Sequence, residues 1–153
     1  MTATTNTTLC TGHVGLNVTD LARSLAFYGD LLGFEVLVEG KEDGRRYALL
    51  GQEGRLVLAL WQQADAPYAP ARAGLHHLAF EVDSIDRVRD AEARLTAHGV
   101  DFAHDGVVAH REGAGSGGIF FHDPDGTRLE IYAPSGAEGA PAPYADAPTC
   151  GFF

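Results

Sequence analysis

The chain has 153 residues, a formal net charge of −10 at neutral pH and 45% hydrophobic residues. Its length and apolar content suit one compact domain with a proper core. The acidic balance argues against nucleic acid and anionic membrane surfaces, which are met by clustered Lys and Arg. The basic residues are scattered apart from the Arg45-Arg46 pair. No stretch approaches the ~20 apolar residues of a membrane span, and the polar start MTATTNTTLCT reads neither as a signal peptide nor as a leader. Cys10 and Cys150 stand near opposite ends in no metal or redox spacing, so two free thiols in a reducing cytoplasm are expected.

Residues 1–9 are Thr-rich and read as a loose arm. Thr11–Val18 alternates like a strand, with Val14, Leu16 and Val18 on one side and His13, Gly15 and Asn17 on the other. Thr19 or Asp20 caps a helix carrying Leu21, Leu25, Tyr28 and Leu32, and Gly33 ends it. A strand is expected over Phe34–Glu39, then a charged turn at Lys41–Gly44. Arg45–Leu50 and Arg55–Trp61 read as a hairpin around Gly51–Gly54. Ala64–Gly74 is a linker containing Pro67 and Pro70.

The pattern then restarts. Leu75–Val82 is a strand within the stretch GLHHLAFEV. Asp83 or Ser84 caps a helix with Val88, Ala91 and Leu95, ended by Gly99. Val100–His104 is expected as a strand, Val107–His110 as a short strand or loop, and Glu112–Gly118 as a glycine-rich loop. Ile119–His122 and Thr127–Ala133 form a hairpin around Asp123–Gly126. Pro134–Phe153 is an irregular, Pro-rich tail. Each half, about residues 10–62 and 75–134, thus reads β-α-β-β-β, an α+β tandem repeat.

Strand parity carries the functional signal. In the last strand Leu129, Ile131 and Ala133 form the apolar side, and Arg128, Glu130 and Tyr132 the other. His13, His77 and Glu130 therefore each lie opposite their own strand's core residues. If the two modules curl into a half-barrel, two imidazoles and a carboxylate converge in its cavity. That donor set suits Fe(II), and also Mn(II), Ni(II) or Zn(II), with positions left for substrate and water. His76 has the apolar parity of Leu78 and is the weaker ligand candidate.

The stretches HVGLNVTDLARSLAFYGDLLGFEV, GLHHLAFEV and DPDGTRLEIY resemble the vicinal oxygen chelate superfamily. It includes glyoxalases, extradiol dioxygenases, fosfomycin-modifying transferases and bleomycin-binding proteins. The resemblance covers about residues 10–134 and implies metal ligands at His13, His77 and Glu130. It also implies a homodimer. Glyoxalase I enzymes of this fold carry a fourth ligand near the mirror position of Glu130, which falls here at the apolar Leu58 or Ala59. Extradiol enzymes carry an acid–base His and a Tyr, and Phe120 stands where that Tyr is expected.

The leading expectation is an Fe(II)-dependent, ring-cleaving dioxygenase acting on a small catechol-like aromatic with dioxygen. Leu58, Leu60, Trp61, Phe120 and Arg128 are the substrate-binding candidates, and His110, His122 and Tyr132 the acid–base candidates. The alternatives are a drug- or natural-product-binding protein without turnover, and a metal-dependent transferase or lyase. For a transferase, Arg45, Arg46, Arg111 and Arg128 would supply the anion-binding charge. The terminal Phe152-Phe153 pair is expected to dock on this chain or a partner subunit rather than stay free.

Overall fold

Two Gly-closed hairpins set the first half of the chain. In this computed structural model, residues 8–153 are described, so the first seven residues of the expected N-terminal arm lie outside the described residues. The chain divides into two compact units, Met1–Asp65 and Ala66–Phe153.

The first unit runs β1 (Val14–Val18), α1 (Leu21–Leu25), β2 (Glu35–Glu42), β3 (Arg45–Gln52) and β4 (Arg55–Gln62). Its sheet order is β1-β4-β3-β2, with β1 parallel to β4 and the other pairs antiparallel. Of the two N-cap candidates Asp20 is the one used, its carboxylate accepting from the Arg23 N–H. After Leu25 the helix widens into a π-helical segment, Ala26–Leu31, and Gly33 closes it at φ 86°. This widening shifts the helix phase. The buried residues are Leu21, Ser24, Phe27, Tyr28 and Leu31, whereas the expected Leu25 and Leu32 are only half-buried. The strands extend beyond their expected ends. Both hairpins close on two residues of positive φ, Asp43-Gly44 and Glu53-Gly54, as tight right-twisting turns require.

The second unit repeats the plan with β5 (Leu78–Glu81), α2 (Ile85–Ala97), β6 (Val108–Ala109), β7 (Gly117–His122) and β8 (Arg128–Ala133). Its order, β5-β8-β7-β6, matches the first sheet strand for strand, with β5 parallel to β8. Ser84 is the N-cap of α2, and Val88, Ala91 and Leu95 are its buried stripe, as the 3.6 period requires. Two expectations need correction. Val100–His104 forms no strand: a single bridge, Phe102 to Phe121, touches β7 before the chain bends towards Gly106. β5 is shorter than Leu75–Val82, because the Tyr68 hydroxyl takes up the carbonyls of Leu75 and His76 outside the ladder.

Register sorts each sheet into two faces. In the second unit Leu78, Phe80, Ile119, Phe121, Leu129 and Ile131 share the face that packs with α2. Ala79, Glu81, Phe120, His122, Arg128, Glu130 and Tyr132 share the other. No helix among the described residues is long and apolar enough to cross a membrane.

Candidate metal and ring-binding site

Glu130 is the centre of the second unit's polar face. It sits on the inner strand β8 between Ala79 of β5 and Phe120 of β7. It is only 2% exposed, although a carboxylate is among the groups least often buried without partners. Both of its oxygens face imidazoles. Oε1 accepts a short hydrogen bond from His110 Nε2, and Oε2 lies 3.6 Å from His77 Nε2.

The ring nitrogens beyond Glu130 assign the tautomers. His110 Nδ1 is 2.8 Å from Ser116 Oγ, so a neutral His110 donates from Nε2 to Glu130 and accepts the Ser116 hydroxyl proton. His77 Nδ1 is 2.9 Å from His76 Nδ1, so one of these two rings donates and the other accepts. When His77 is the donor, its Nε2 carries a free lone pair towards Glu130. Hydrogen bonding of the distal nitrogen in this way orients a ligating imidazole. Burial lowers the His77 pKa, opposed by Glu130 and assisted by His76, Arg128 and His110. At neutral pH the pair is therefore a neutral imidazole beside a carboxylate, too far apart for a hydrogen bond.

This donor pair fits a divalent cation. Two N and O donors bound to one ion at about 2.1 Å stand ~3.0–3.4 Å apart at ordinary coordination angles, close to the observed separation. Among the described residues no three His, Cys, Asp or Glu side chains stand gathered as a complete metal cluster.

His13 immediately precedes β1 in the first unit and is exposed. Its equivalence to His77 follows from register. Gly15 pairs with Ala59 in β1–β4 as Ala79 pairs with Glu130 in β5–β8. The mirror of Glu130 is thus Ala59, and Leu58 is the mirror of Leu129. Leu58 and Leu60, expected to line a cavity, are fully buried on the face they share with Ala48 and Leu50 and fill the first unit's core. Trp61 lies on the opposite face and stacks on Tyr47 at 4.8 Å, a partner that strand alternation alone did not single out.

The remaining candidates separate clearly. The Tyr132 hydroxyl donates to Glu81 at 2.7 Å, which pushes its pKa up to about 12. His122 stands largely exposed at the end of β7, with its pKa lowered by the partial desolvation of its ring and by Arg128. Phe120 is fully buried, its ring against His104 and His110. The Asp123–Gly126 turn serves structure: Asp123 Oδ1 accepts from the N–H groups of Asp125 and Thr127. Both cysteines are free thiols, and burial raises the pKa of Cys150.

The family profile of the Glyoxalase/Bleomycin resistance protein/Dioxygenase superfamily matches residues 11–131. The chain belongs to this superfamily. It is 33% identical over 124 residues to a catechol-2,3-dioxygenase of Bacillus subtilis, a match covering 80% of this chain and 40% of that enzyme. The chain therefore spans less than half the length of that relative. It is 30% identical over 120 residues to the metallothiol transferase FosB of Staphylococcus saprophyticus, covering 78% of this chain and 74% of FosB. A crystal structure of a glyoxylase/bleomycin resistance protein/dioxygenase domain from Frankia superposes with a TM-score of 0.72 at 27% identity. That likeness covers 82% of this chain and 98% of the Frankia domain.

Proposed function

We propose that this protein is a metal-dependent oxygenase of the Fe(II) extradiol type, opening the ring of a small catechol-like aromatic with dioxygen. His77 and Glu130 are the proposed ligands in the second unit, and His13 is the histidine equivalent to His77 in the first. The observation that carries the reading is the buried Glu130 carboxylate, faced by imidazoles on both oxygens. The catechol-2,3-dioxygenase relative supports the choice of reaction. A bound Fe(II), or Mn(II), Ni(II) or Zn(II) in its place, would supply Lewis acidity and sites for vicinal oxygens.

The chain's own residues divide the remaining work. His110 holds one Glu130 oxygen in place by donating from Nε2, and that same N–H makes it the acid–base candidate able to hand a proton to the reacting molecule. Tyr132 is less suited to that step, since its proton is committed to Glu81. Phe120 supplies an apolar floor, and Arg128 a cation on the same face to orient an anionic substituent. The expected homodimer finds support in β2, an edge strand exposing Val36 and Val38.

The test is metal content of protein purified without chelator, beside His77→Ala and Glu130→Ala. Oxygen uptake on a catechol panel follows after anaerobic Fe(II) loading. Near-stoichiometric metal in the parent, its loss in both variants and a yellow ring-cleavage product would establish the reading. A parent that cannot be loaded would overturn it. The FosB likeness favours a second reading, metal-dependent transfer of a thiol, which would show as turnover only with a thiol cosubstrate.

A further inference from the structure

The chain beyond the family match is built onto the site. After β8 the backbone turns back and pins itself to β6 and its neighbours. Ala137 N–H donates to the Gly115 carbonyl, and Ala109 N–H to the Pro141 carbonyl. Thr149 is fully buried, its N–H donating to the His110 carbonyl and its hydroxyl to the Ala109 carbonyl. A 3₁₀ turn, Thr149–Gly151, then aims the last two residues back across the polar face. Phe152 stacks on Tyr144 at 3.9 Å, and its carbonyl lies 2.8 Å from His104 Nε2.

Phe153 ends up among the candidate site residues. Its ring centroid is 5.3 Å from that of Phe120, 5.7 Å from His77 and 5.8 Å from His122. The Arg128 guanidinium carbon lies 5.4 Å from the ring centre. These are ordinary aromatic and cation–π spacings. They describe a seat for one six-membered ring, beside the proposed ligand His77 and under a cation.

We infer that this seat is the ring-binding subsite of the protein, and that in the free chain it is filled by the C-terminal Phe153, which an incoming aromatic ring must displace. The inference rests on the proposed aromatic substrate and adds that the chain carries its own competitor. The tether makes the competition intramolecular. Thr149 anchors the strap four residues before the ring, so the ring can leave while the strap stays in place. Occupancy by Phe153 reduces the apparent affinity for a ring ligand by the fraction of molecules whose seat is open. With an open fraction of roughly a tenth, removing the side chain tightens binding about tenfold.

Two measurements on the full chain test this. In the metal-free protein, ring-proton resonances of His77 and His122 should carry ring-current shifts that vanish in Phe153→Leu; unchanged resonances would overturn the docking. In the metal-loaded protein, 4-nitrocatechol should bind about tenfold tighter to Phe153→Gly than to the parent. Equal or weaker binding by the variant would overturn the competition and leave the catechol reading intact, with Phe153 then a wall of the site or a bystander. Absence of 4-nitrocatechol binding to both proteins, with metal bound and the ring-current shifts present, would overturn the aromatic-substrate reading and the competition together.

Discussion

Replacing Glu130 by glutamine keeps the size of the side chain and removes only its charge. A cation held between Glu130 and His77 Nε2, which stand 3.6 Å apart, would sit within about 4 Å of the carboxylate charge, a separation at which unit charges attract by about 4 kcal/mol at an effective dielectric of ~20. A glutamine amide oxygen can still offer a lone pair, so roughly 3 kcal/mol of that attraction for a cation should be lost. This amounts to a weakening of divalent-metal binding by about a hundredfold. The same substitution should lower the His77 pKa further in the metal-free protein, because Glu130 is the group that raises it against burial. Competition with a chelating dye would read the first effect and an NMR titration of His77 the second, with thermal unfolding as a check that the variant is folded. Metal affinity within about threefold of the parent, or a His77 pKa that rises, would refute the assignment of Glu130 as the charged ligand.

The folded protein should lose stability as pH falls below about 6.5, the ordinary histidine value. His77 and His122 both have lowered pKa values, so below 6.5 the unfolded chain binds more protons than the folded one. Their contribution is complete above 6.5 and fades as pH falls through the folded values. Urea midpoints at several pH values should show a shallower acid loss in His122→Gln than in the parent, and equal slopes would count against the assignment. Tyr132→Phe removes only a hydrogen bond to the exposed Glu81, so unfolding should change by about 1 kcal/mol or less. Ring cleavage should persist in that variant if His110 carries the proton, and its abolition would return Tyr132 to the chemistry. Gly118→Ala would place a Cβ against the Ile131 carbonyl on the neighbouring strand. It should destabilise the protein by about 2 kcal/mol or more, read by denaturant unfolding. Ser84→Ala removes the α2 cap and should cost about 0.5–1 kcal/mol by the same assay, with the site's metal affinity unchanged.

Local chemistry made much of the fold legible. Helix caps need a short oxygen-bearing side chain, tight hairpins need residues of positive φ, and alternation marks which side of a strand faces the core. Those rules located α2 behind a cap at Asp83 or Ser84, with its buried Val88, Ala91 and Leu95. They also put Glu130 opposite Leu129 and Ile131 before any pairing was known. They misread Val100–His104, because a strand needs a neighbour over several residues and that stretch meets β7 only through Phe102. They could not separate a cavity wall from a core for Leu58 and Leu60, since apolar alternation is the same in both settings.

The sequence by itself determined the repeat, the presence of the helices, the places of the turns and the parity of β1, β5 and β8, because each depends on neighbours a few residues apart. Tertiary structure decided everything set by pairing between distant segments. Register made Ala59, rather than Leu58, the counterpart of Glu130. The edge pairing of β6 with β7 brought His110 to the carboxylate, across twenty positions of chain. The buried Thr149 anchor returned Phe153 to His77. No local period encodes contacts of this kind, since they arise only once the sheet has fixed which strands lie side by side.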